Sequence, residues 1–491
     1  MMPKACILRI LFIFFLLLVS LFVSHSVLAE GKKPDLVFII VDDLNDWIGV
    51  MGGHPQANTP NIDFLASKGA LFTNAHCNAP QCGPSRASLL LGLYPKSTGK
   101  YFNSTKRPSF FKEQAMQGVR SVKKGKGKYL DLHQHFKKQN YRVVSGGKVA
   151  HAGIPRNLHA SFKRPDDLTG NWVDEKENLW KEGGAHFHPV EKTGDYKVAK
   201  WAISEWKQVS EKPLFMTVGF YRPHRPFNAP KAYFDKFPLA SIQLPALPEF
   251  SDLEDLPEYG KALAHSNAHK NNFNPRTVHQ EILHRGGGGV KEWQFMVQSY
   301  LACVHYVDEQ IGFFLNALKI NPRDRDTVIV LTSDHGWNLG EKEHWCKAAL
   351  WRNTTRVPFI VYDSRKQDMH RQNHQPISHV DIYPSLCDFA GISKPTHLEG
   401  KSIKPLLDNP VNKRDFSFIN YGPENIAAQS ERFRYILYED GSEELYDHQN
   451  DPHEWLNLSQ NPEYLLIKKK HKEGILSFKN EKSPFISTAA Q

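Results

Sequence analysis

At 491 residues, with 40% hydrophobic and 23% charged residues, the chain is long for a single core and too apolar to stay disordered. One large globular domain with a smaller companion is the expectation. The formal net charge of +10 suits polyanionic partners, but no nucleic-acid motif accompanies it, and the Lys-rich piece "RSVKKGKGK" reads as a solvated loop, so nucleic acid is set aside.

In chain order, Lys4 and Arg9 lead into the apolar run Leu11–Val23 and then "SVLAEG", the pattern of a secretory signal cleaved after Ala29. No later segment is apolar enough to span a bilayer. Loss of residues 1–29 removes two positive charges and no acid, leaving +8 of the original +10 on a secreted or periplasmic chain. Five cysteines remain, Cys77, Cys82, Cys303, Cys346 and Cys387, an odd number that leaves at least one thiol unpaired in an oxidising compartment. Cys82 is the candidate.

"DLVFIIVDDLND" opens the mature chain as a continuous apolar run, which suits a strand buried on both faces of a parallel sheet. "TPNIDFLASKG" follows as a helix with Thr59 at its N-cap, Pro60 at its first position and Gly69 beyond its end. In "QCGPSRASLLLG", Pro84 can open a helix running to about Leu91, with Gly92 after it. "YRVVSGGK", "LFMTVGFYRPH", "TVIVLTSDHGW" and "VPFIVYD" read as further strands alternating with helices. Met296, Tyr300, Val304, Val307, Ile311, Phe314 and Leu318 recur every three or four residues and predict one long amphipathic core helix. The order predicts a doubly wound α/β domain over residues 30–405. From 406 to 491, "DFSFINYG", "FRYILYED" and "ELYDHQNDP" predict an antiparallel sheet in a smaller subdomain, closed by a surface helix in "EYLLIKKKHKEGILSFK".

Ligands of such sheets bind beyond the carboxyl ends of the strands. Asp42 and Asp43 end the first strand there, and Asp334 and His335 end "TVIVLTS". Three carboxylates meeting from separate strands repel one another unless a cation joins them, so a divalent metal is expected. Oxygen donors favour Ca2+ or Mg2+, while His335 leaves the ion's identity open. Cys82 at a helix N-terminus, with Arg86 one turn on, sits where an anion is favoured and a thiolate could act as nucleophile.

Cys82-Gly83-Pro84-Ser85-Arg86, followed by Leu89, Leu90 and Gly92, resembles the C-x-P-S-R signature of type I sulfatases. "VDDLND", "GGKVAHAG", "GFYRPHRPF", "TSDHGWNLGEKEHWCK" and "ELYDHQNDPHEWLNL" extend the resemblance over nearly the whole mature chain, nearest the iduronate-2-sulfatase branch. In place of the Thr and Arg common in the tail of the signature, this chain has Leu91 and Leu93. His335 matches the iduronate branch, where many sulfatases carry Asn.

The resemblance implies an alkaline phosphatase-like fold and a formylglycine made from Cys82 by a dedicated maturation enzyme. It implies that Asp42, Asp43, Asp334, His335 and the modified Cys82 hold Ca2+, with Mg2+ or Mn2+ as alternatives. Lys148 and Lys347 would face the sulfate, Arg86 would bond the hydrated aldehyde, His151 would orient its second hydroxyl, and His224 would protonate the departing sugar oxygen. The substrate implied is a sulfated oligosaccharide or polysaccharide. Two alternatives stay open: a phosphatase or phosphonate monoester hydrolase of the same superfamily, and a non-catalytic binder of sulfated glycans. The segments Tyr101–Lys128, Asp166–His188 and Leu253–Val290 would shape the rim, and "NST" at Asn103 and "NTT" at Asn353 are glycan acceptors only in a eukaryote. A serine at the signature position can accept sulfate once but cannot expel it. Cys82→Ser is therefore expected to accumulate a covalently sulfated protein, seen as a mass increase, and multiple turnover by that variant would contradict the reaction.

Overall fold

The structure is a computed structural model that describes residues 32–103, 129–151, 183–266, 277–284, 289–366, 371–409 and 411–481. The signal segment, "RSVKKGKGK" and much of the three rim segments lie outside the described residues. Seven strands form the main sheet: β1 (Asp35–Val41), β2 (Ala70–Phe72), β3 (Arg142–Gly147), β4 (Leu214–Phe220), β5 (Thr327–Ser333), β6 (Phe359–Asp363) and β7 (Arg371–Asn373). Their order is β7-β2-β6-β5-β1-β4-β3. The four strands β5, β1, β4 and β3 run parallel, and β6 alone is antiparallel to its neighbours β5 and β2.

Every residue of β1 is buried, as its unbroken apolar run requires. The pleat divides that run between two cores. Val37, Ile39 and Val41 face one layer, with α3 (Gly194–Trp206) and the long α4 (Val290–Ile320), while Leu36, Phe38 and Ile40 face the other, with α5 (Ile382–Ala390). α1 (Pro60–Lys68) joins the first layer, and α2 (Cys82–Leu91) the second. Thr59, Pro60 and Gly69 mark the ends of α1 as the sequence predicts, although the Thr59 hydroxyl accepts the loop amide of Gly49 and donates to the Asp63 side chain at 3.1 Å and does not cap a helix amide.

A separate four-stranded antiparallel sheet follows, β8 (Ser417–Tyr421), β9 (Asn425–Gln429), β10 (Phe433–Leu437) and β11 (Glu443–Asp447), in that order. Sequence reading missed β9, because "NIAAQ" is short and its alanines have little strand preference. Its pairing on both sides supplies what its composition does not. One face of this sheet packs on α6 (Leu465–Asn480) through Ile475 and Phe478. The other face packs on Ala348, Ala349, Leu350 and Trp351, the chain just after Lys347. Arg434 on β10 is fully buried and ties the two parts together: it donates to the Leu350 carbonyl at 2.7 Å and pairs with Glu454 at 2.9 Å.

All five cysteines of the expected mature chain are buried free thiols. Among the described residues no helix is long and apolar enough to cross a membrane. Replacement of Phe38 by Ala, deep in the second layer, should cost about 3–5 kcal/mol. Val209→Ser, at a site 97% exposed, should stay within about 0.5 kcal/mol. Urea or thermal melts of the two variants check the contrast.

Candidate active site

Parallel register brings the carboxyl ends of β1, β4, β5 and β3 to one edge: Val41 pairs with Phe220 and Ser333, and Gly147 with Gly219. The residues just past those ends are Asp42-Asp43, Tyr221-Arg222, Asp334-His335 and Lys148. Adjacent strand residues normally point to opposite faces. Asp43 escapes that rule through a left-handed backbone, φ 62, a conformation that aspartate tolerates better than most residues. Its amide donates to Asp334 Oδ1 at 3.0 Å, and its carbonyl accepts from the Tyr300 hydroxyl at 2.8 Å. The periodicity of α4 marks Tyr300 as a core position, and its hydroxyl is also a support for the site.

Cys82 is the first residue of α2 and is buried, so the helix begins two residues before Pro84. The Gly83 amide in this first turn donates to Asn103 Oδ1 at 2.6 Å. Cys82 Sγ lies 3.1 Å from Lys347 Nζ, 3.3 Å from His335 Nε2 and 4.0 Å from Asp43 Oδ1. Two overlapping groups have ligand atoms within 4.8 Å of one another, Asp43, Cys82, Asp334 and His335, and Asp42, Asp43, Cys82 and His224. The sequence-predicted metal set therefore converges, and His224 lies beside it, with Nε2 4.0 Å from Asp43 Oδ2.

Arg86 makes contacts beyond the one the resemblance implies. Nε binds Asp334 Oδ2 at 2.8 Å, one terminal nitrogen binds Asp42 Oδ1 at 2.7 Å, and the other binds the carbonyls of Lys148 and Val149. Two carboxylates and two carbonyls thus take four of the five N–H donors of this buried planar fork, and one on the nitrogen bonded to Asp42 remains. Lys148 Nζ stands 3.2 Å from Asp42 Oδ2. Lys347 Nζ binds both oxygens of Asp43, at 2.8 and 3.2 Å. His151 Nδ1 is buried without a hydrogen-bond partner among the described residues.

Behind the carboxylates, the Ser85 hydroxyl donates to the Asp334 carbonyl and meets His379 Nδ1 at 3.0 Å. Burial holds that imidazole neutral, its pKa lowered to about 3. Ser85 belongs to the C-x-P-S-R stretch but has no role assigned from sequence, and His379, 294 positions on, carries no local signal.

Burial alone would raise the Cys82 thiol, but Lys347 and His335 outweigh it and hold it well below its ordinary value. Cys77, close by in sequence, is pushed up, by burial first and by Asp334 after it. That contrast separates an inert core thiol from a reactive one. Burial opposes charge on Asp42 too, yet Lys148 and Arg86 hold it well below the carboxylate range. Asp334 is raised to about 7, by burial first and by Asp42 and Cys82 after it.

Three lines fit this cluster to a divalent cation. Asp42 Oδ2 is buried and, although Lys148 Nζ is 3.2 Å away, accepts no hydrogen bond among the described residues. The donor atoms lie within the spread that one ion with oxygen ligands at about 2.3–2.6 Å can span. Asp334 is pushed toward its neutral form, so the pocket has room for more positive charge. Arg86, Lys148 and Lys347 already offset much of the acidic charge, so the repulsion argued from sequence is weaker than three bare carboxylates would give.

The family model described as Sulfatase matches residues 34–392, and that described as N-sulphoglucosamine sulphohydrolase, C-terminal, matches residues 340–481. A sulfatase of Formosa agariphila is 32% identical over 462 residues, 89% of this chain and 85% of its own. Iduronate 2-sulfatase of Mus musculus is 30% identical over 439 residues, 78% of this chain and 74% of its own. The solved structure of a 2-O GAG sulfatase superposes with a TM-score of 0.70 at 22% identity, over 91% of this chain and 92% of that one. A phosphonate monoester hydrolase of Agrobacterium radiobacter gives 0.69 at 21% identity, over 91% and 95%. These two establish the alkaline phosphatase-like fold and nothing finer. From the site itself, chelation should lower the melting temperature and Ca2+ should restore it. At about 100 times its dissociation constant the ion contributes about 2.7 kcal/mol, and parallel titrations with Mg2+ and Mn2+ identify which ion the donors prefer.

Proposed function

This chain belongs to the sulfatase family, hydrolases of sulfate esters, and we propose that it is an exported enzyme with iduronate-2-sulfatase-like specificity. The observation that carries the proposal is the placement of Cys82, from the C-x-P-S-R stretch, at the centre of the acidic cluster on the carboxyl edge of the sheet. The similarity to iduronate 2-sulfatase over 78% of this chain supports a sulfated uronic acid as substrate. The expected mature charge of +8 would draw such a polyanion in. The N-terminal segment 1–29 supports a secreted or periplasmic location.

Asp42, Asp43, Asp334, His335 and residue 82 would hold Ca2+, which supplies Lewis-acid stabilisation of negative charge on oxygen. Conversion of Cys82 by a formylglycine-generating enzyme would supply an aldehyde whose hydrate can both accept sulfate and release it. The chain's own residues do the rest. Lys347 and Lys148, held beside Asp43 and Asp42, present ammonium groups to sulfate oxygens as charge builds there. Arg86 fixes the two carboxylates and the start of α2, so that residue 82 approaches sulfur from one direction. His224, with Nε2 4.0 Å from Asp43 Oδ2, supplies the proton that the sugar oxygen needs on leaving. His151, its Nδ1 without a hydrogen-bond partner among the described residues, orients the group at position 82 and takes a proton in the release step.

A phosphatase or phosphonate hydrolase shares this fold, and the sequence similarity to sulfatases weighs against it. Peptide mass spectrometry of protein from its native host should find an aldehyde at position 82. Disaccharides carrying a 2-O-sulfated uronic acid should release sulfate faster than 6-O-sulfated ones, and aryl sulfate should be cleaved faster than aryl phosphate. A free thiol at position 82 together with full sulfate turnover would overturn the mechanism, and preference for phosphate would overturn the activity.

A further inference from the structure

Between β4 and the extended stretch Phe227–Pro230 the chain makes the turn "YRPHRP", which carries His224. Two buried charged residues without a part in the reaction converge on that turn. Asp195, in the first turn of α3 and 1% exposed, accepts the amides of Tyr221 at 2.7 Å and Arg222 at 3.0 Å. Its carboxylate thus fixes the first two residues after the strand. Arg222, 6% exposed, folds its guanidinium back over the turn: Nε donates to the Asn228 carbonyl at 2.7 Å, and a terminal nitrogen donates to the His224 carbonyl at 2.7 Å. One rigid fork therefore spans the turn on both sides of the histidine. Asp195 is also the countercharge that interacts with this buried cation.

The ring is fixed as well. His224 Nδ1 lies 2.6 Å from the Arg225 carbonyl, and a carbonyl can only accept, so Nδ1 carries a proton. Nε2 is left as the atom that faces Asp43, at 4.0 Å. We propose that Asp195 and Arg222 are positioning residues that aim His224 Nε2–H at the departing ester oxygen. This rests on the role given to His224 above. As the bond from sulfur to the acceptor at position 82 forms, the bond from sulfur to the leaving oxygen breaks, and its electron pair passes to that oxygen. The oxygen takes the Nε2 proton; the imidazole keeps the one on Nδ1 and is left neutral, to be recharged from solvent.

A proton donor matters most when the leaving group is a poor one, which gives a readout that general loss of structure does not share. The experiment compares kcat for a series of aryl sulfates, from 4-nitrophenyl sulfate to 4-methoxyphenyl sulfate, on wild type, His224→Ala and Arg222→Met, with thermal melts to check folding. We expect both variants to steepen the dependence on phenol acidity, losing roughly 10²-fold on the methoxy ester and within about 3-fold on the nitro ester. Arg222→Lys keeps the charge without the fork, and Asp195→Asn keeps the size of the carboxylate. They should steepen the same slope to a smaller degree, and they decide the matter where Arg222→Met does not fold. If His224→Ala steepens the slope but folded Arg222 and Asp195 variants lose activity evenly across the series, or not at all, the positioning role is overturned and the acid stands. If His224→Ala itself loses activity evenly, the acid is wrongly assigned.

Discussion

The site depends on one buried cation, the guanidinium of Arg86. It reaches Asp334 and Asp42, which end neighbouring strands, and the two carbonyls after β3, so a single side chain fixes three strand ends against the helix that carries Cys82. Burying such a charge is costly, and only full pairing offsets the loss of water. Carboxylates and carbonyls take four of the five N–H donors of Arg86. Lysine would offer a point charge in place of this fork. Arg86 favours charge on both acids, and Lys148 beside Asp42 keeps that one ionised while burial, Asp42 and Cys82 push Asp334 toward neutrality.

The other side of the cluster is held by backbone in an unfavourable conformation. Lys342, Glu343, Cys346 and Ala348 all have φ between 50 and 153 around Lys347. Left-handed conformations cost non-glycine residues roughly 1–2 kcal/mol each, so this loop needs support from elsewhere. Some of it is local: His344 Nε2 meets the Lys347 carbonyl at 3.0 Å. The rest comes from the second sheet, whose inner face packs on Ala348, Ala349, Leu350 and Trp351. Asn353 takes part too, with its amide nitrogen bonded to Glu341 Oε1 at 3.0 Å. The smaller sheet thus contributes to the chemistry by keeping Lys347 in place.

The two supports divide the work. Arg86 sets the carboxylates from within the main sheet, and the strained loop delivers an ammonium group to Asp43 and Cys82 from outside it. Tyr300 from α4 and the Ser85–His379 pair close the remaining directions. Each is a polar contact between elements far apart in the chain, which is why the pocket can keep so many like charges close together.

Much of this was legible in the sequence. Unbroken apolar runs announce strands buried on both faces, and the acids that end them mark the binding edge of a parallel sheet. "CGPSR" and the blocks around it pointed to Cys82, Lys148, His224, Asp334 and Lys347. Sequence did not give the free state of the other four thiols, the strand "NIAAQ", or the commitment of Arg86 to carboxylates and carbonyls. Nor did it mark Tyr300, Asp195 or His379 as anything but ordinary residues. The reason is physical: composition and periodicity record which side chains can be buried and in what local conformation. The partner a polar group finds once buried depends on register and packing between distant segments, and only the folded chain settles it.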